Sequence, residues 1–255
     1  MWNNRACRYD EYYKTFQGAI EHYVDWEILK NFLPKNKKIK ILDAAGGTGR
    51  ISLPLAKMGY SVTLCDISPK MLEVAELKMQ REGVLDKVKI CKCDTRNLHF
   101  KDEMFDFVIS WDSNIDDTEG LATKELIRVT KKGGIISIFL VNKWAAVINS
   151  FYKNPDKLLS SIESIPSCLE DPEGSYIVLS PEEVKNWFEE EGIKVIDIYG
   201  VCGWTDVLHI PKKILDSHTW DEKFFKQTIK IVLKLSKEPS IKGLSRHLVL
   251  YGEKL

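Results

Sequence analysis

The segment Asp43-Ala44-Ala45-Gly46-Gly47-Thr48-Gly49 follows a short apolar run, Ile39 to Leu42, and precedes residues of helical pattern. Glycines this close strip a turn of side chains, so a ligand can press against backbone at the start of a helix, where N–H groups point outward. Taken alone, the cluster fits equally well a tight strand-to-helix turn with nothing bound. About 20 residues on, Asp66 ends a second apolar run, the place where doubly wound nucleotide folds set a carboxylate against ribose hydroxyls. Hydrogen bonds to a charged carboxylate are worth about 1.5–3 kcal/mol each, so one such side chain can carry much of a ligand's affinity. The plainer role for Asp66 is to cap the helix that starts near Pro69.

These residues need a frame, and the hydrophobic pattern supplies one. Strands are expected at Ile39 to Leu42, Ser61 to Cys65, Val88 to Cys91, Phe105 to Ser110 and Gly134 to Val141, with helices at Arg50 to Met58, Lys70 to Arg81 and Glu119 to Thr130. Strands apolar throughout and alternating with helices imply a parallel sheet covered on both faces, a doubly wound α/β fold. A helical stripe over Gly18 to Leu33 precedes this core, through Ile20, Tyr23, Val24, Ile28 and Phe32. Ser180, Pro181 and Glu183 form a helix-start signature, and Gly192 stops that helix. Lys194 to Tyr199 and Arg246 to Tyr251 complete seven strands, mostly parallel with a C-terminal antiparallel strand. Residues 1–255 are expected to form a single domain, with 143–178 and 202–240 as helical cap insertions on the substrate side.

Composition bounds the function. A chain of 255 residues with 44% apolar and 29% charged residues is ordinary for a globular protein. Its 37 basic and 37 acidic side chains cancel, so no global field draws it to nucleic acid or membrane. No apolar run reaches the roughly 18 residues of a membrane span, and Met1 to Arg5 lacks a secretion signal, so a cytoplasmic protein is expected. The cysteines, Cys7, Cys65, Cys91, Cys93, Cys168 and Cys202, are scattered and read as reduced core thiols. Cys91-x-Cys93 is poor tetrahedral geometry without a second pair nearby, and no metal is expected.

Together, Leu42 to Gly49, Cys65-Asp66-Ile67-Ser68-Pro69-Lys70-Met71-Leu72 and Lys131-Lys132-Gly133-Gly134 resemble the class I S-adenosylmethionine-dependent methyltransferases, whose fold is Rossmann-like, over residues 39 to 141. The resemblance implies that Asp43 and the backbone of Ala45, Gly46 and Gly47, with Gly49 closing the turn, face the methionine part of S-adenosyl-L-methionine. It implies Asp66 on the ribose, Ile67 beside the adenine, and Asp94, Thr95 and Arg96 along the adenine edge, although Asp94 fits a simple loop cap as well. After the fourth strand, Trp111-Asp112-Ser113-Asn114 falls where the family positions the methyl acceptor, with Trp111 toward cofactor and Asp112 toward substrate. Asp116 and Asp117 read as the start of the next helix. No proline follows in this segment, so the signature of DNA adenine-amino methylation is absent.

The C-terminal third is similar, patchily, to the bacterial tRNA carboxymethoxyuridine methyl-ester methyltransferases. The carriers are Pro181 to Val184 with Trp187, then Gly200-Val201, Lys237-Glu238-Pro239 and Arg246-His247. An arginine of that group upstream of the core falls near Glu21 or His22 here, a departure that weakens any carry-over of substrate. Lys223, Lys226, Lys230, Lys234 and Lys237 fall within an arc of roughly 80° on one helix, opposite Phe225, Ile229, Val232 and Leu235. That is either an RNA-facing stripe or the solvated face of an amphipathic helix. Trp144, Trp204 and Trp220 either stack on a planar substrate or fill the core of the insertions.

The resemblance implies transfer of a methyl group to an O, N or carboxylate acceptor on a small molecule or tRNA. The cofactor carries its own leaving group, so the protein mainly aligns the acceptor and excludes water. A carboxylate acceptor needs only a dry pocket, whereas a phenol or amine benefits from a base, for which Asp112, Asp206 and His209 are the candidates. The competing readings are a nicotinamide-dependent oxidoreductase, whose G-x-G-x-x-G spacing differs from Gly46, Gly47 and Gly49, and a non-catalytic S-adenosylmethionine-binding protein.

Overall fold

The computed structural model describes residues 2–111, 120–153, 168–171 and 174–255. Two helices, α1 (Trp2–Tyr12) and α2 (Phe16–Lys30), come first, then β1 (Lys40–Ala44), α3 (Ser52–Lys57), β2 (Ser61–Asp66), α4 (Pro69–Arg81), β3 (Val88–Lys92) and β4 (Phe105–Ser110). The parallel registers pair Lys40 with Ser61 and Val62 with Val88 on one side of β1, and Ile41 with Phe107 on the other. The order β3-β2-β1-β4 therefore reverses at β1. At such a switch point the connections leave in opposite directions and open a crevice beyond the carboxyl ends of β1 and β4. Asp43 and Trp111 stand at or just past those ends, and Asp66 ends β2 alongside.

The far half is built from α5 (Leu121–Val129), β5 (Thr130–Asn142), α6 (Lys143–Lys153), β6 (Cys168–Asp171), β7 (Gly174–Leu179), α7 (Pro181–Glu190), β8 (Ile193–Val201), α8 (Trp204–Leu208), α9 (Lys212–Leu215), α10 (Glu222–Leu235), α11 (Pro239–Leu244) and β9 (His247–Lys254). β5 runs parallel to β4 and antiparallel to β9, which pairs in turn with β8. Helices bury both faces of the sheet. Phe16, Ile20, Val24, Ile28 and Leu29 of α2, with Phe225 and Val232 of α10, cover Ile41, Phe107, Val249 and Tyr251. Leu126, Val129, Val184 and Phe188 cover Leu42, Val108, Ile136 and Leu250 opposite.

Local signals explain several boundaries. Ser180 accepts the Glu183 N–H while the Glu183 carboxylate accepts the Ser180 N–H, a reciprocal cap that starts α7 with Pro181 in its first turn. Ser68, not Asp66, caps α4 by accepting the Met71 N–H at 3.2 Å.

Two expectations are corrected, and one helix was not anticipated. Among the described residues the sheet has nine strands instead of seven, because 143–178 holds the β6–β7 hairpin as well as a helix, and β7 joins the tip of β5 through Val141 and Asn142. Helix α1, to which the sequence pattern assigned no element, packs against α4. Cys65 and Cys93 form a disulfide rather than two reduced thiols, since the ends of β2 and β3 bring their Cα atoms to 5.7 Å, within bridging range. Among the described residues no helix is long and apolar enough to cross a membrane.

Candidate functional site

The bend after β1 is made by left-handed backbone at Ala45 (φ 55°) and Gly47 (φ 54°). It is pinned to β2, with the Gly46 N–H donating to Cys65 O at 3.1 Å and the Gly49 N–H to Gly46 O at 2.9 Å. The two central glycines do different jobs. A Cβ on Gly46 would lie 2.2 Å from Leu64 Cδ1 and 2.7 Å from Asp43 Cγ, so that position is closed by packing. A Cβ on Gly47 would meet nothing nearer than Met71 Sδ at 3.9 Å, which leaves the space before it open.

Asp66 faces this bend. One carboxylate oxygen accepts the Gly47 N–H at 2.9 Å and the other the Ser68 N–H at 2.8 Å, which fixes the side chain across the crevice. A carboxylate has about four acceptor sites, so it keeps room for a further donor. The residue is 8% exposed, and burial raises its pKa against the pull of those N–H donors. Next to it Ile67, at 50% exposure, offers a bare apolar surface. Asp43 Oδ2 accepts the Ser52 hydroxyl at 2.6 Å, and burial pushes its carboxyl up to about 6.

The turn after β3 lies alongside, because the Cys93 N–H donates to Asp66 O at 3.1 Å. In it Asp94 accepts the Arg96 backbone N–H at 2.9 Å and pairs with its guanidinium at 2.7 Å, which holds the carboxyl below its usual range. Asp94 thus acts as a turn cap here, and the same bonds place Thr95 and Arg96 next to the Asp66 end of the crevice.

Sequence reasoning missed the roof. Asp10 of α1 accepts the Thr48 hydroxyl at 2.7 Å and pairs with Lys78 of α4 at 2.8 Å, which brings the first helix over the glycine bend. It also missed a buried polar cluster on the β4 side. Arg50, the first residue past Gly49, pairs with Asp25 of α2 at 3.1 Å, and its guanidinium lies 4.7 Å from the Tyr13 ring and 5.9 Å from the Trp111 ring. Glu21, one turn back on α2, accepts the Tyr12 hydroxyl at 2.6 Å and the Gln17 amide at 3.0 Å. Burial raises Glu21 against those bonds and lowers His22 to about 4. The only sequence signal was the break in the tRNA-enzyme pattern at Glu21 and His22.

Other candidates are dispersed. Trp111 donates its indole N–H to Ser137 Oγ at 2.9 Å at the mouth of β4. Asp112, with Ser113, Asn114, Asp116 and Asp117, lies outside the described residues, as does the side chain of Asp206. His209 is exposed at the end of α8 in left-handed backbone (φ 48°). Trp204 is buried and Trp220 stacks on Phe225 at 5.1 Å, so both fill the core, while Trp144 is exposed.

A methyltransferase-domain family model matches residues 41–134, the span that carries the bend, Asp66 and the β4 end. A tRNA 5-carboxymethoxyuridine methyltransferase of Escherichia coli K12 is 25% identical over 205 residues, 77% of this chain and 76% of the relative. A demethylmenaquinone methyltransferase of Streptomyces griseus subsp. griseus is 33% identical over 172 residues, 66% of this chain and 69% of the relative. The chain belongs to the S-adenosylmethionine-dependent methyltransferases. Solved structures share its fold. A Thermotoga maritima methyltransferase matches at TM-score 0.62 and 19% identity over 100% of both chains. A geranyl diphosphate methyltransferase in complex with the cofactor matches at TM-score 0.61 and 12% identity over 92% of this chain and 86% of that one. The methyltransferase uses S-adenosyl-L-methionine, and the oxidoreductase and non-catalytic readings fall away. The residues at the bend suit that cofactor, with open space at Gly47, a buried carboxylate with lone pairs to spare at Asp66 and an apolar face at Ile67.

Proposed function

We propose that this methyltransferase acts on a small molecule, in the crevice between the glycine bend and the β4 end. The cofactor supplies an electrophilic methyl group on a positively charged sulfur. In this reading Asp43 and the backbone of Ala45, Gly46 and Gly47 receive its methionine part, Gly49 closes the bend, and Asp66 grips the ribose. Ile67 covers one face of the adenine, with Asp94, Thr95 and Arg96 along its edge, and Trp111 borders the acceptor. The work is done by one cytoplasmic domain, with 143–178 and 202–240 as insertions on the acceptor side.

The observation that carries the small-molecule reading is the burial of polar groups beside the bend. Glu21 and Asp25 of α2 are 8% and 4% exposed, a setting that a small polar molecule can share and a folded RNA cannot enter without opening the roof. A second reading, a tRNA substrate, draws on the Escherichia coli relative and on the lysine face of α10. Lys223, Lys226, Lys230 and Lys234 on it, and Lys237 just past its end, are all exposed, although Lys226 is paired with Glu222 at 2.7 Å.

Incubation with methyl-labelled cofactor and separate metabolite and RNA fractions decides between them. Label is expected in the metabolite fraction, and label confined to RNA would select the tRNA reading. Charge reversal at Lys226, Lys230 and Lys234 together is expected to leave turnover unchanged. If RNA is the acceptor, the triple variant instead binds RNA more weakly with a flatter salt dependence, because each lost phosphate contact removes counterion release.

The acids of the crevice give the cofactor affinity a pH dependence. Asp43 and Asp66 both have raised pKa values, Asp43 to about 6, so lowering the pH adds protons to the free protein and removes negative charge that faces a cationic ligand. Calorimetric titration with S-adenosylmethionine is therefore expected to show affinity falling several-fold between pH 7 and pH 5. An affinity flat across that range would place the charged methionine part away from Asp43.

A further inference from the structure

Among the polar groups between α2 and the β4 end, one stands out by what it lacks. Asp25 Oδ2 is bound to Arg50, yet Asp25 Oδ1 is buried with no hydrogen-bond partner among the described residues. The residue is 4% exposed, so bulk water does not serve that oxygen freely. Its neighbours are committed elsewhere, with Tyr12 and Gln17 spent on Glu21. A second buried atom without a partner, Ser110 Oγ, belongs to the residue just before Trp111 at the carboxyl end of β4. Arg50 ties these parts together, following the bend directly, holding Asp25 and lying near the rings of both Tyr13 and Trp111. An unserved carboxylate oxygen calls for a hydrogen-bond donor.

We propose that Asp25 is the catalytic base on the acceptor side, with its Oδ1 receiving the proton of an N–H or O–H nucleophile, and that Arg50 is the positioning residue that holds it. This rests on the small-molecule reading and narrows its substrate class to amines, imidazoles and phenol-like hydroxyls, as against carboxylates. In the step, a lone pair of the acceptor nitrogen or oxygen forms the bond to the methyl carbon. The carbon–sulfur bond breaks with its electron pair going to sulfur, which leaves S-adenosylhomocysteine. The acceptor's proton passes to Asp25 Oδ1, and the neutral carboxyl later returns it to water. A carboxylate acceptor fits poorly, because it would bring a third negative charge beside Glu21 and Asp25 and offers no proton for the open oxygen.

The electrostatics agree with this role. Burial, with Glu21 close by on the same helix, pushes the Asp25 carboxyl up to about 7 against the pull of Arg50. Tyr13 from the α1–α2 turn, Cys202 after β8 and Tyr251 of β9 also face Asp25, and Arg246 acts on Glu21 and Cys202. A base must be ionised to accept a proton, so the rate rises as pH increases through about 7 and levels off above it.

The test uses the full chain with labelled cofactor and a small-molecule cell extract, alongside phenol, catechol, imidazole and benzoate as defined probes. Label is expected on proton-bearing acceptors and not on benzoate. Asp25→Asn is expected to lower their rate by about 10²–10⁴-fold, to flatten the pH profile near 7, and to keep S-adenosylhomocysteine affinity within threefold, which also shows that the variant folds. Independently of any acceptor, carbon NMR of the carboxyl-labelled protein is expected to show one aspartate signal, missing in Asp25→Asn, that titrates near neutrality with S-adenosylhomocysteine bound. Preferential labelling of benzoate, an unchanged pH profile in Asp25→Asn, or titration of Asp25 below pH 5 would each overturn the proposal. So would a tenfold loss of S-adenosylhomocysteine binding in that variant, which would make Asp25 a cofactor ligand. Label found only in RNA defeats the small-molecule reading itself, whereas small-molecule label with Asp25→Asn fully active defeats only the role of Asp25.

Discussion

Asp66→Ala is expected to weaken S-adenosylhomocysteine binding by about 3 kcal/mol, roughly a hundredfold. The figure follows from two charge-assisted hydrogen bonds to the ribose, each near the lower end of the range for charged partners. Part of the loss arises indirectly, because the same carboxylate accepts the Gly47 and Ser68 N–H groups and so holds the bend and the start of α4 in place. Asp66→Asn separates the contributions, since it keeps one carbonyl oxygen and loses the charge. It is expected to fall between the wild type and alanine. Because Ser68 rather than Asp66 caps α4, both variants should melt within a few degrees of the wild type. Isothermal titration and thermal melts on the same samples check this, and equal cofactor affinity in all three proteins would remove Asp66 from the site.

The second large effect is expected from the glycines of the bend, and the two positions should fail differently. Gly46→Ala puts a methyl group 2.2 Å from Leu64 Cδ1 and 2.7 Å from Asp43 Cγ. Leu64 can turn aside, but Asp43 is held by Ser52, so the bend itself must shift. Overpacking of this kind costs about 1–3 kcal/mol, or a melting temperature lower by roughly 2–10 °C for a chain of this size. At Gly47 an added Cβ meets no close neighbour, so Gly47→Val is expected to suffer mainly from the left-handed backbone at φ 54°, a penalty of about 1–2 kcal/mol. Its branched side chain, however, stands in the open space where the cofactor is proposed to lie. It is expected to stay folded and lose S-adenosylhomocysteine binding by a hundredfold or more. A Gly47→Val protein that binds normally would show that the cofactor does not approach this backbone.

Much of the frame was legible because its causes are local. The runs at β1, β2, β4 and β5 are apolar on both faces since helices cover both sides, and the Ser180-Pro181-Glu183 start produced a complete reciprocal cap. The glycine bend and its facing carboxylate were legible for a related reason. The spacing from the glycine bend to Asp66 reflects one strand–helix–strand unit, whose register places Ala44 beside Cys65. The cluster proposed to receive the acceptor was not legible, because it is assembled from parts far apart in the chain. Asp25 and Arg50 are separated by a loop and a strand, and Trp111 comes from a third element.

Helix α2 shows why an apolar stripe misled. Ile20, Val24 and Ile28 are buried as the pattern implied, but Tyr23 is exposed, whereas the charged Glu21 and Asp25 are buried. A count of apolar positions treats those two acids as solvent-facing, and only tertiary packing against α1 and Arg50 turns them inward. The Cys65–Cys93 disulfide was hidden likewise, because in-register pairing puts Cys65 opposite Cys91 and the bonded cysteine stands two residues further on.

The most direct measurement is a crystal structure of the protein with S-adenosylhomocysteine. It should show both ribose hydroxyls within hydrogen-bond distance of the Asp66 carboxylate, the amino-acid end lying along the backbone from Ala45 to Gly47, and the sulfur facing the Trp111 side. A ribose held elsewhere, with Asp66 still satisfied only by backbone N–H groups of the protein, would contradict it.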